Sequence, residues 1–339
     1  MTIATSQAIQ QTLLADIAKL DKLTSLPLPA YGSWPESVHQ FDTDSINALK
    51  AALAARRPLL LRGDPGTGKS QLARAAAIAL NRLFVYDVVN AHTESQDLLW
   101  RFDAVGRLAE AQALQGQGCT LQERQAALDT KRYISPGSLW WALCWQTADA
   151  VYQNSQYKLS CPEKPEDWQQ GQGSVLLLDE IDKANAELPN GLLEILGNNS
   201  VNIPWLNTVI GGKDSLPPLV IITTNEEREL PAAFVRRCLV LNLELPENDA
   251  DFLNVMVERG SLHYGKECSP EVCTLAAQQL LDDRKIARDK GITNLPGQAE
   301  YLDMLRALTV LGKDEAAQKV MLKQIAKFAL RKYPVMYGR

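Results

Sequence analysis

The chain has 339 residues, enough at about 100–200 residues per domain for two domains or for one large domain with an appendage. Its 46% hydrophobic and 22% charged residues are those of an ordinary folded protein and exclude collagen-like, coiled-coil and extensively disordered chains. The net charge of −5, from 35 Lys and Arg against 40 Asp and Glu, argues against nucleic acid as the primary partner, because a general phosphate-backbone binder needs a basic surface.

A polar helix is expected over roughly 7–22, with Leu13, Leu14, Ile17 and Leu20 on one stripe, followed by a connector at Pro27 and Pro29. A second helix over about 44–55 leads into Pro58-Leu59-Leu60-Leu61, a continuous apolar run suited to a strand buried on both faces. Glycines at 63, 66 and 68 end that run, a helix follows over 69–80, and a second strand is expected over 83–89. Strand, glycine loop, helix and strand make a βαβ unit. Residues 91–173 are less regular, with a Trp-rich helix over about 139–152 that would set Trp141 and Trp145 on one face against the sheet.

Further strands are expected at 174–178 and 219–224, with a helix over 188–196 between them. Beyond about Pro246 the patterns are helical, over 251–259, 270–289, 298–311 and 314–332. The fold class expected is α/β with a parallel sheet, followed by a small all-α domain. The domains expected are an N-terminal helical segment and connector (1–40), an α/β domain (41–245) and a helical domain (246–339).

The longest apolar run, 139–145, is far short of the roughly 20 residues that span a bilayer as a helix. No basic stretch leads into an apolar segment at the N-terminus, so the expected compartment is the cytoplasm. The six cysteines, Cys119, Cys144, Cys161, Cys238, Cys268 and Cys273, form no CxxC pair, and with three histidines in the chain a zinc site is not expected.

Gly63-Asp64-Pro65-Gly66-Thr67-Gly68-Lys69-Ser70 satisfies G-x-x-x-x-G-K-[ST] between a strand and a helix. Glycines let such a loop wrap phosphates so that backbone N–H groups and the helix N-terminus face the anion. Lys69 would reach the β- and γ-phosphates of ATP and Ser70 would give an oxygen to Mg²⁺, with Gln71 next in the helix. Downstream, Val175-Leu176-Leu177-Leu178 delivers Asp179 to the metal at a strand end. Glu180 then follows directly. A carboxylate there can polarise a water for in-line attack on the γ-phosphate, which points to a hydrolase rather than a small-molecule kinase. Asp182 and Lys183 are expected to cap and solvate the next turn. Asn225, ending Ile221-Ile222-Thr223-Thr224, is either a second holder of the attacking water or a turn residue.

The order of these motifs resembles the AAA+ ATPases, and within them the MoxR and dynein-related branch, over about residues 40–310. The telling pieces are GDPGTGKSQLARAAA, SVLLLDEIDKA, ITTNEERELPAAFVRRC and DLLWRFDAVGRLAEAQ. The resemblance implies a P-loop NTPase with a three-layer αβα body and a helical lid. Residues 63–71 then belong to Walker A, Asp179 and Glu180 to Walker B, and Asn225 to sensor 1. It implies ATP and Mg²⁺ as ligands. It further implies a homo-oligomeric ring, usually a hexamer, because Arg236 or Arg237 would act as an arginine finger on the neighbouring subunit, Arg236 being the first choice. Asn90 matches a polar switch that restrains the catalytic Glu in such ATPases. Where relatives place the sensor 2 Arg this chain has Ala299, which leaves Arg306 two turns later as a substitute or implies slow, partner-dependent turnover. Residues 198–209 lie where the branch inserts a β-hairpin, with Trp205 either exposed at its tip or packed on its own domain.

Three functions are consistent with these motifs. The first is a MoxR-like, chaperone-like ATPase that remodels, assembles or activates a partner, such as a von Willebrand factor A domain protein. The second is an ATP-gated regulatory or scaffold component of a multi-protein bacterial defence system with slow hydrolysis, and the third is a nucleic-acid motor. Residues 313–339 carry seven Lys or Arg against two acids, and Lys319, Lys323, Lys327 and Arg331 step by four along one helix ridge. That ridge is either a solvated face or a contact for an acidic patch.

Overall fold

The computed structural model describes residues 2–116, 118, 120–206, 208–212, 215–292 and 295–330. In chain order it contains α1 (Thr2–Leu20), β1 (Ser25–Leu28), β2 (Ser37–Gln40), α2 (Thr43–Ala55), β3 (Leu59–Arg62), α3 (Lys69–Leu80), β4 (Leu83–Val88), β5 (Trp100–Phe102), α4 (Ala104–Ala113), α5 (Leu121–Ala127) and β6 (Ile134–Pro136). Then follow α6 (Ser138–Leu143), α7 (Trp145–Asn154), β7 (Ser174–Asp179), α8 (Glu187–Asn198), β8 (Ser200–Ile203), β9 (Thr208–Gly211), β10 (Leu219–Thr223), α9 (Ala232–Val235) and β11 (Leu239–Asn242). The chain continues through α10 (Asp249–Tyr264), α11 (Pro270–Asp289), α12 (Gln298–Leu311) and α13 (Glu315–Ala329).

Five strands form one sheet in the order β11-β3-β10-β7-β4. β3, β10, β7 and β4 are parallel, with Ile221 opposite both Leu59 and Leu177. β11 runs the same way, since Leu239 N–H bonds to Pro58 O and Leu243 N–H to Arg62 O. Every residue of β10 is buried, as are Leu59, Leu60 and Leu61. A strand buried on both faces needs cover on both, so the sheet is the middle of three layers. Burying one such leucine contributes about 1.5–3 kcal/mol, which is why an unbroken apolar run rather than an alternating one marks these strands.

Contacts divide the chain into two units. One comprises Met1–Leu23, Phe41–Leu61 and Leu72–Leu241, and the other Thr24–Gln40, Arg62–Gln71 and Asn242–Arg339. The first holds the sheet and its core, with Trp140, Trp141, Leu176 and Ile222 fully or almost fully buried. The second has its own core between α10, α11, α12 and α13, around Phe252, Met256, Leu280, Tyr301, Met304 and Leu308. No helix among the described residues is long and apolar enough to cross a membrane.

Two sequence expectations are revised. The proline connector contains a hairpin, β1 against β2, in which Pro27 pairs with Val38 on a two-stranded sheet where every strand is an edge that tolerates proline. The Trp-rich helix is broken at Cys144, so Trp141 ends up on α6 and Trp145 on α7, their ring centroids 4.8 Å apart. On the basic ridge of α13, Lys319 bridges Glu271 at 2.7 Å and Glu315 at 2.6 Å, while Lys323 and Lys327 are exposed. Arg331 lies outside the described residues, as does the side chain of Trp205.

The first helix is tied to the sheet by charge. Arg82, its side chain fully buried, donates from Nε and Nη2 to Asp16 Oδ2 at 3.2 and 2.9 Å, and burial holds its pKa below the ordinary arginine value. Removing one partner of a buried pair leaves an uncompensated charge in low dielectric. Asp16→Ala is therefore expected to destabilise the protein by about 3–5 kcal/mol in urea unfolding. A loss below about 1 kcal/mol would mean that water reaches Arg82 without Asp16.

Candidate active site

β3 ends at Arg62 and runs straight into the glycine loop. Gly63, Gly66 and Gly68 have φ of 141°, 80° and 95°, a region that L side chains rarely adopt. A Cβ at Gly63 would stand 2.3 Å from Leu243 O and one at Gly66 2.7 Å from Ala299 Cβ, whereas at Gly68 it would meet open space. The loop is thus closed on one side by backbone and open on the other, a cradle suited to a phosphate chain. Thr67 Oγ1 bonds to Asp64 O at 2.9 Å and braces it. Lys69, buried at 7% exposure, donates to Gly63 O at 2.6 Å and Asp64 O at 2.9 Å, so its ammonium lies against the loop. Lys69 and Ser70 open α3, where the helix dipole favours an anion.

β7 and β10 end side by side, Leu178 opposite Ile222. Thr223, 1% exposed, donates from Oγ1 to Asp179 Oδ1 at 2.5 Å and accepts from Glu180 N–H at 2.9 Å. One buried hydroxyl therefore ties the Asp179 carboxylate to the backbone of Glu180. Glu180 has φ 60° and ψ 48°, a left-handed conformation that costs a non-glycine residue about 1–3 kcal/mol and turns the chain sharply off the strand. Its Oε1 accepts from Asn225 Nδ2 at 3.3 Å and its Oε2 from Lys183 Nζ at 2.7 Å. The carboxylate beside it pushes the Lys183 ammonium above its ordinary range.

The segment after Asn225 is held by two further bonds. Asp182, 2% exposed, accepts Glu227 N–H at 2.9 Å, and Thr224 Oγ1 accepts Glu226 N–H at 2.9 Å. Asp182 is thus buried and anchors the segment after Asn225 rather than solvating a turn, whereas Lys183, its side chain 40% exposed, pairs with Glu180. Asn90 Oδ1 accepts His92 N–H at 2.8 Å, so its carbonyl oxygen closes a local turn.

Arg236 and Arg237 are exposed and follow α9, a single turn pinned by fully buried Phe234. They precede β11, whose Leu239 pairs at Pro58, and so lie at the edge where the strands begin. Asp179, Glu180 and Asn225 leave the edge where the strands end. Strands of this length separate the two edges by about 15 Å, at a rise of about 3.3 Å per residue. Ala299 is the second residue of α12, whose first turn is capped by Glu300 Oε2 accepting Gly297 N–H at 2.9 Å. Arg306 pairs with Asp303 at 2.5 Å, and both are more than half exposed.

Sequence reasoning missed Thr223, Lys183 and Asp182 as parts of the site. The Thr223-Thr224 doublet ahead of Asn225 was the available signal, since a polar pair ending a wholly apolar strand has a reason to be there. The donor chemistry also suits Mg²⁺, which takes hard oxygens such as the Ser70 hydroxyl and the Asp179 carboxylate.

The profile of the AAA domain family, dynein-related subfamily, matches residues 58–238, more than half of the chain. No curated protein sequence matches it. Among solved structures it is similar to a candidate ATPase from Cytophaga hutchinsonii, at 14% identity over 96% of this chain and 88% of that one with a TM-score of 0.40. It is also similar to two single-substitution variants of RuvB from Thermotoga maritima. One is 16% identical over 83% of this chain and 66% of that one with a TM-score of 0.41, and the other 14% identical over 82% and 65% with a TM-score of 0.44. The stretch matched by the family profile runs from the foot of β3 to the end of the segment bearing Arg236 and Arg237, and so takes in both strand ends and the glycine loop. The chain belongs to the AAA domain family, in its dynein-related subfamily.

Proposed function

We propose that this chain is a MoxR-like, Mg²⁺-dependent ATPase that hydrolyses ATP between the subunits of a homo-oligomeric ring and uses the resulting motion to remodel, assemble or activate a partner protein. The observation that carries the reading is the placement of Arg236 and Arg237 at the strand edge opposite Glu180 and Asn225. An arginine side chain spans less than the roughly 15 Å between those edges, so the two arginines serve a neighbouring copy. Heterologous, head-to-tail contacts of this kind close into a ring when the rotation between neighbours divides a full turn.

In this scheme the loop 63–68 and Lys69 would hold the phosphates, and Ser70 and Asp179 would be the oxygen donors to Mg²⁺, which would supply charge neutralisation at the phosphate oxygens. Glu180 accepts the proton of the attacking water, which Asn225 helps to orient. Thr223 keeps Glu180 and Asp179 in register. Arg236 or Arg237 of the next subunit stabilises the charge that develops on the transferred phosphoryl group. After hydrolysis that cross-subunit contact is lost, and the interface relaxes.

Slow, partner-dependent turnover is the second reading, and two observations favour it. Glu180 is engaged by Lys183 and Asn225 at once, and Ala299 packs on Gly66 without offering a cation. Measuring ATPase rate in the absence of any partner separates fast from gated turnover. Lys69→Ala tests the loop itself: ATP affinity is expected to fall by about a hundredfold or more in calorimetry, as a charge-assisted phosphate contact is removed. Unchanged affinity would remove Lys69 from the site.

A further inference from the structure

We propose that Arg57 is the positioning residue of the arginine finger, setting the direction in which Arg236 and Arg237 are presented to the neighbouring subunit. The inference rests on the reading of those arginines as acting in trans. Arg57 Nε donates to Arg237 O at 3.0 Å, and Nη2 donates to Arg236 O and to Cys238 O, the latter at 3.4 Å. A single guanidinium thereby collects three consecutive carbonyls that lie 179 to 181 residues away in sequence.

Those carbonyls follow directly on α9, a helix of four residues, and that of Arg236 is the helix's C-cap carbonyl. The last carbonyls of a helix have no intrahelical partner and carry partial negative charge, and a one-turn helix has little cooperativity to hold its own shape. The main chain contributes from the same place, because Leu239 N–H bonds to Pro58 O at 2.8 Å. Residues 57 and 58 thus grip 236–239 through donors and acceptors alike.

Arg57 is itself fixed. Arg56 takes a left-handed conformation, φ 52° and ψ 44°, at the end of α2, and Arg57 N–H bonds to Ala52 O at 3.2 Å. This base tethers the backbone from which the exposed Arg236 and Arg237 side chains project. Arginine suits this task because its planar fork presents five donors at fixed angles, whereas a lysine ammonium is a point on a flexible stem. Arg57 does not touch substrate in this scheme; it acts through the peptide groups of the finger.

The test is complementation between subunits. Arg57→Ala is expected to lower kcat by about tenfold or more with KM for ATP within about threefold, since the nucleotide contacts are untouched. Mixed with Glu180→Gln subunits it should recover turnover, because that partner brings an intact finger to an intact Glu180. Mixed with Arg236→Ala/Arg237→Ala subunits it should not recover, because both lack finger function. Arg57→Lys, which keeps the charge and loses the fork, should behave in the same way and stands in if the alanine variant does not fold.

Recovery with the finger variant, or a wild-type kcat for Arg57→Ala and Arg57→Lys, overturns the assignment of Arg57 alone. Full turnover by Arg236→Ala/Arg237→Ala overturns the trans-finger reading, and the role of Arg57 goes with it.

Discussion

Glu180→Gln is expected to reduce ATP turnover by about 10²–10⁴-fold while leaving ATP affinity within about threefold. The amide is isosteric, so the bond from the backbone N–H at 180 to Thr223 Oγ1 and the fold of the turn are kept. What it loses is the capacity to take a proton from water, which separates general-base catalysis from binding. Lys183 loses its carboxylate partner in the same variant, so the Lys183 pKa, now pushed up by Glu180, should return toward the ordinary lysine range. Release of phosphate at the wild-type rate by Glu180→Gln would refute the role given to Glu180.

Replacing both arginines, Arg236→Ala/Arg237→Ala, is expected to lower kcat by about 10³–10⁵-fold, the range in which arginine fingers act on phosphoryl transfer. The size follows from where the charge acts. A guanidinium in a closed interface faces the developing charge in a low dielectric, where it counts for far more than in water. Each single variant assigns the role: the arginine whose loss reproduces the double variant is the finger. Because both side chains are exposed and their backbone is held through carbonyls by Arg57, folding should be little affected. A kcat within about twofold of wild type in the double variant would remove both residues from catalysis.

Much of the fold is legible where burial is two-sided or helical period is long. Leu59-Leu60-Leu61 and Val175-Leu176-Leu177-Leu178 are wholly buried strands as their unbroken apolar runs require, and 69–80, 270–289 and 298–311 are helices over the spans their patterns indicate. β11 escaped notice because it is an edge strand of four residues with alternating partial burial, and such a signal is weak over so short a run. β1 and β2 were hidden by Pro27, which reads as a breaker until its strand is known to be an edge. The break at Cys144 interrupts an apolar stretch that continues the helical period on both sides.

The site divides in the same way. The loop 63–70 and the pair Asp179-Glu180 are local patterns whose spacing carries the chemistry. The partners that aim them are not local: Thr223 lies 44 residues from Asp179, Asn225 lies 45 from Glu180, and Arg57 lies 180 from Arg237. Such contacts follow from strand order, since β10 must lie beside β7 before Thr223 can reach the acidic pair. The same topology puts Arg236 and Arg237 at the opposite edge from Glu180, which supports the proposed action in trans.

The most direct measurement mixes two inactive proteins. Glu180→Gln subunits carry an intact finger and Arg236→Ala/Arg237→Ala subunits carry an intact Glu180, so neither alone has a complete site. Combined in equal amounts and allowed to assemble, about one interface in four joins an intact Glu180 to an intact finger in a head-to-tail ring. The expected result is recovery of about a quarter of wild-type ATP turnover, from two preparations that are separately inactive. A mixture as inactive as its components would contradict hydrolysis between subunits.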